Sequence, residues 1–139
     1  MRNSEKYNLA TRYRLFAKDE SGSSTIEAVI WLPLFMLLLS MVADASFVFH
    51  GQAQALRIVQ DGNRAFSVGR LEDTAATQAY IRSNLISLSR GARVTTTLSA
   101  DGIITTTALI SVDDLLAIGS VGALTGFDIT VKSQHFLEY

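Results

Sequence analysis

The chain has 139 residues, a net charge of −1, 48% hydrophobic and 18% charged residues, and a mean hydropathy of +0.25. That length allows at most one modest domain, and near-neutral charge argues against binding nucleic acid by bulk electrostatics. With no cysteine, thiol catalysis, thiolate metal sites and a disulfide framework are excluded.

Residues 1–22 form a polar lead-in, where Arg2, Lys6, Arg12, Arg14 and Lys18 outnumber Glu5, Asp19 and Glu20. Residues 28–43 then carry no charge, and the apolar character runs on to Phe49 with Asp44 as its single charge. A helix needs about 20 largely apolar residues to cross hydrocarbon, so one transmembrane span is expected over 23–50. The basic segment before it predicts a cytoplasmic N-terminus by the positive-inside rule. Trp31 suits an interfacial anchor, and Asp44 is expected to reach the far interface or to pair in an assembly. Pro33 removes a helix N–H and pushes on the carbonyl of Val29, so a kink is expected there.

Residues 51–70 read as a more polar continuation of the same helix, with Ala55, Ile58, Val59 and Phe66 at helical intervals. Gly62 weakens it and Gly69 is the expected stop. A second helix is predicted from Asp73 or Thr74 to Arg90-Gly91, with Ile81, Leu85 and Leu88 on one face. Residues 92–100 and 103–112 are rich in β-branched side chains and are joined by Asp101-Gly102, the chemistry of a tight hairpin. A two-residue turn would set Leu98 opposite Thr105 and Val94 opposite Leu109, collecting Ala92, Val94, Leu98, Ile103 and Leu109 on one face. A third strand starts at Phe127, with Phe127, Ile129 and Val131 on one side. The expected fold is α+β: a long N-terminal transmembrane helix continuing into a head at 51–139, with a second helix and a three-stranded antiparallel sheet.

Catalysis finds little support in these residues. His50 and His135 are the only imidazoles, they are far apart in sequence, and His135 reads as a surface residue at a strand end. Asp113 and Asp114 read as the cap and first-turn acid of a helical turn at Leu115–Ile118. No enzyme activity, cofactor or metal is expected.

The informative junction is Gly22-Ser23-Ser24-Thr25-Ile26-Glu27. Ser24 and Glu27 have the S-x-x-E spacing of a capping box, which would make Glu27 a helix-start residue. A carboxylate at the mouth of an apolar span is also costly, and functional use is the default hypothesis for it. Both readings can hold for one residue.

A basic leader ending in glycine, then an apolar helix with glutamate at the fifth position after it, resembles a type IV prepilin. Pro33 between Leu32 and Leu34, the helix over Ala55–Arg64 and the late strand through His135 further resemble the TadE-like minor pilins and pseudopilins of the tight-adherence (Tad, type IVb) pilus. Such proteins usually carry tyrosine or phenylalanine after the glutamate, where this chain has Ala28. The resemblance implies cleavage by a prepilin peptidase between Gly22 and Ser23, and a role for Glu27 in setting subunit register through the new Ser23 ammonium. It also implies partners among other pilin subunits and the Tad assembly machinery, residence in inner-membrane lipid, and a periplasmic head. The alternative is a small secreted protein with an ordinary signal peptide cut after Ala45, since Ala43-Asp44-Ala45 fits an A-x-A pattern.

Overall fold

The computed structural model describes residues 21–120 and 126–138, with side chains from Thr25 onward. All but the end of the leader expected at 1–22 therefore lies outside the described residues. The elements are α1 (Ser21–Ser67), α2 (Thr74–Leu85), β1 (Arg93–Leu98), β2 (Ile103–Ser111), a 3-10 turn (Val112–Asp114) and β3 (Asp128–Phe136). The strands form one antiparallel sheet in the order β1-β2-β3, so the α+β architecture matches the expectation.

Contacts divide the chain into two compact units, one ending at Leu39 and the other running from Ser40 to the C-terminus. In the first, α1 carries no charge from Ala28 to Leu39 and its large apolar side chains are exposed. Pro33 lies inside this helix, which runs on past it without a break. Among the described residues α1 is the one helix long and apolar enough to cross a membrane. It is compatible with a single-pass membrane protein.

The second unit takes in residues 40–50, which the sequence reading assigned to the span. Asp44, Gly51, Ala55, Val59, Asn63 and Phe66 are buried at steps of seven, four, four, four and three residues, which puts them on one helix face. The core against that face holds Ile81 and Leu85 of α2, Ala92, Ala108 and Ile110 of the sheet region, Leu115, and Val131 of β3. Gly62, expected to weaken the helix, instead allows close packing: a Cβ there would collide with the side chain of Ile81.

α2 begins at its expected cap, where the Asp73 carboxylate accepts from the Ala76 N–H at 2.6 Å. It ends at Leu85, ahead of the expected Arg90-Gly91, and turns through Ser89 carry the chain to Ala92. Leu88 still packs against the core, so the predicted apolar face survives beyond the helix itself.

The hairpin departs from the expected register by one residue. Leu98 faces Ile104 and Val94 faces Ala108. The Ser99 carbonyl accepts from Gly102 N at 3.1 Å, while Ser99 N donates to the Ile103 carbonyl at 3.0 Å. With Gly102 at φ 74°, the connection is a three-residue turn ending in a left-handed glycine, not the two-residue turn expected. A one-residue slip exchanges the two faces of a strand. The buried face of β2 is therefore Ile104, Thr106, Ala108 and Ile110, while Ile103 and Leu109 are half-buried on the other side. Ala92 and Val94 keep their expected face, but Leu98 is exposed. β3 keeps its expected alternation at Ile129 and Val131. Phe127 precedes the strand and is exposed, because β2 has already turned into Val112–Asp114 beside it.

Candidate functional site

Gly22 and Ser23 lie in the first turn of α1, which starts at Ser21. Glycine costs a helix about 1 kcal/mol but does not forbid it, so the helix extends N-terminal to Ser24. Ser24 is thus inside the helix rather than its cap, and Glu27 falls in the second turn, not the first. The capping-box reading of Glu27 does not describe this helix start.

Glu27 is exposed and shares a shallow surface with Ala28, Trp31 and Phe35. The spacing explains the grouping, because residues four apart on a helix are neighbours. The Trp31 and Phe35 rings sit 6.3 Å apart between centroids with a 50° tilt. A carboxylate therefore adjoins an aromatic pair on an otherwise apolar helix.

Asp44 is fully buried, and its partners are in the loop after the 3-10 turn. Its Oδ1 accepts from Ile118 N at 2.9 Å; its Oδ2 accepts from Ser120 N at 2.9 Å and Ser120 Oγ at 2.6 Å. All three partners donate, so the site is built for an acceptor-only carboxylate. Expected at the far interface or paired in an assembly, Asp44 is instead bound within its own chain. Backbone donors at a separation of 74 residues leave no side-chain signature in the sequence.

A second polar cluster was not foreseen. Thr106 Oγ1 donates to Asn63 Oδ1 at 2.5 Å, and Thr96 Oγ1 lies 2.9 Å from Thr106 Oγ1. The Thr106 proton is already committed to Asn63, so Thr96 is the donor of the second bond. Asn63 Nδ2 donates to the Ser133 carbonyl at 3.2 Å. One α1 side chain thereby ties to all three strands and fixes the register of helix on sheet.

The remaining candidates are local. Asp113 and Asp114 are inside the 3-10 turn and do not cap a helix over Leu115–Ile118. Asp114 accepts from Ser89 Oγ at 2.5 Å and Asp113 from Gly126 N at 3.2 Å, so both pin loops. His50 bonds Gln54 at 2.9 Å on the helix surface, and His135 lies 3.5 Å from Glu138. A concavity of about 550 Å³ in the second unit is lined by Asp61, Arg64, Ala65, Val68, Arg70 and Tyr80. Among the described residues no group of three or more His, Asp or Glu is placed to hold a metal ion.

No curated protein and no solved structure matches the chain. The family model described as TadE-like protein matches residues 22–64. That stretch begins at Gly22, includes Glu27, Pro33 and Asp44, and ends one residue after Asn63 of the buried cluster. The matched stretch of α1, which carries the exposed apolar side chains, is thus similar to a TadE-like protein.

Proposed function

We propose that the chain is a minor pilin or pseudopilin that acts in assembly of a Tad (type IVb) pilus. A prepilin peptidase cuts it between Gly22 and Ser23, and it stays in the inner membrane with its N-terminus cytoplasmic and its head periplasmic. Its partners are other pilin subunits and the assembly machinery, and its role is structural rather than catalytic. The observation that supports the reading is the family match over residues 22–64, a stretch that begins at Gly22 and includes Glu27.

Cleavage would leave Ser23 as the new N-terminus, largely an ammonium at neutral pH. Glu27 lies four residues on, over the first turn of the shortened helix, where the dipole favours an anion. There it is available to the ammonium of an adjacent subunit as the chains dock. Against the signal-peptide alternative stands Asp44. A cut after Ala45 would remove the carboxylate that holds Ile118 and Ser120.

The test is complementation of a deletion strain with Glu27→Ala and Glu27→Gln. Both variants should be inserted and cleaved, because losing a charge lowers the cost of insertion. Both should fail to restore piliation. Full piliation by Glu27→Gln, at normal membrane levels, would show that charge pairing is not the assembly determinant.

A further inference from the structure

We propose that two copies of this chain pair antiparallel through the outer edges of their β3 strands, with Thr130 facing its twin on the twofold axis. The proposal concerns the head alone and does not depend on the pilin reading above.

The bonding parity of β3 identifies its open backbone groups. β2 and β3 are bonded at both ends of their register: Val112 N donates to the Phe127 carbonyl at 2.9 Å, and Leu137 N donates to the Gly102 carbonyl at 2.8 Å. Successive residues of a strand point their N–H and C=O groups to opposite sides. Odd-numbered residues of β3 therefore bond β2, while Asp128, Thr130, Lys132, Gln134 and Phe136 direct theirs outward. All five are exposed, and among the described residues none of these outward backbone groups has a partner. The edge closes only at Glu138, whose N–H goes to the Ser67 carbonyl at 3.1 Å. On the opposite edge the Thr96 carbonyl of β1 accepts from Gln78 Nε2 of α2 at 3.3 Å. β3 has nine residues, whereas edge strands left open are ordinarily short or guarded by charge.

Lys132 is the guard on this edge, and among the described residues it has no ion-pair partner. An antiparallel twin supplies one in a single alignment. Centring the pair on Lys132 opposes two lysines. Centring it on Val131 sets Lys132 against Thr130 and Asp128 against Gln134, so neither charge meets its opposite. Centring it on Thr130 sets Lys132 of each copy directly across from Asp128 of the other, on the same sheet face, where opposite charges attract. Asp128 accepts from Arg93 through Oδ2 at 2.8 Å, which leaves Oδ1 for the lysine. The occupant is a second copy because β3 carries both charges at the spacing that its own antiparallel image requires. The contact is isologous, so it closes at two chains and joins two three-stranded sheets into one.

The cysteine-free sequence makes the test direct. Full-length Thr130→Cys is purified in detergent and treated with a short reagent that bridges two thiols. Thr95→Cys, exposed on β1, is the control. Bridged dimer should form several-fold more at 130 than at 95, with both thiols equally reactive toward maleimide in denaturant. Adding Lys132→Asp or Asp128→Lys to Thr130→Cys should reduce bridging to the control level, because one variant then carries only acids at these two positions and the other only lysines. Mixing those two variants should restore it, and since mixing changes neither chain, the restoration cannot come from repaired folding. Equal bridging at 95 and 130, or none at 130, overturns the proposal. Bridging that ignores the two charge changes, or that is lost in both and not restored by mixing, overturns it as well. A precursor left uncut at Gly22 would defeat the pilin reading and leave these results untouched.

Discussion

The two stretches of α1 carry similar side chains under opposite conditions. From Ile26 to Leu39 every large apolar side chain is between 49% and 68% exposed, on all sides of the helix. From Asp44 to Phe66 one face is buried to the last few per cent, and Arg57, Gln60, Asp61 and Arg64 occupy the other. The first pattern is stable only where the surroundings are themselves apolar, whereas the second makes its own apolar surroundings from α2 and the sheet. What changes along the helix is the small and polar residues. Gly51 and Gly62 admit Leu115 and Ile81, and Asp44 and Asn63 take bonds from the loop and the strands. The helix over Ser21–Ser67 thus carries two side-chain patterns, one exposed on all sides and one with a single buried face.

The comparison is broken most sharply by the same truncation on either side of it. Leu85→Ala removes a fully buried side chain and should lower head stability by about 2–5 kcal/mol. Leu38→Ala, equally a loss of a leucine, should leave the head within about 0.5 kcal/mol. Denaturation of both full-length variants in detergent, followed by loss of sheet signal, checks the contrast.

Gly102→Val comes next in size. A β-branched residue at φ 74° costs about 1–2 kcal/mol, and the hairpin closes the sheet that α1 packs on. The melting point of the head should fall, with membrane insertion unchanged. A melting point that ignores the change would show that the turn does not need its left-handed glycine.

Asp44→Ala is the smallest in global terms. Ile118 and Ser120 are exposed apart from their bonds to the carboxylate, so their donors regain water once released. The expected result is faster amide exchange at Ile118 and Ser120 with little change at Ile81 or Ile104. Exchange unchanged at those two amides would mean the carboxylate does not hold the loop.

The parts of this fold legible in the sequence were those set by local chemistry. Asp73 before an apolar helix face, Asp101-Gly102 between β-branched runs, and the alternation through Ile129 and Val131 each carry their own signal. The hairpin register was not legible, because Asp-Gly serves a two-residue turn and a three-residue turn ending in glycine alike. β2 could not arbitrate, since Ile103 and Leu109 on one parity compete with Ile104, Ala108 and Ile110 on the other. The Asp44 site was hidden for a different reason: two of its three donors are backbone N–H groups, which every residue has. Asn63 left a faint trace, standing four residues after Val59 on the face that had to be buried. The Gly22–Glu27 spacing is a feature of the sequence itself, and what the fold added is that Glu27 lies past the first turn of α1.

The central claim is that this chain is a membrane-held pilin-type subunit cut at its leader, and N-terminal sequencing of the mature protein after membrane fractionation tests it most directly. The account predicts a chain beginning at Ser23 and recovered with the membranes. A chain beginning at Ser46 and recovered in the soluble fraction would contradict it.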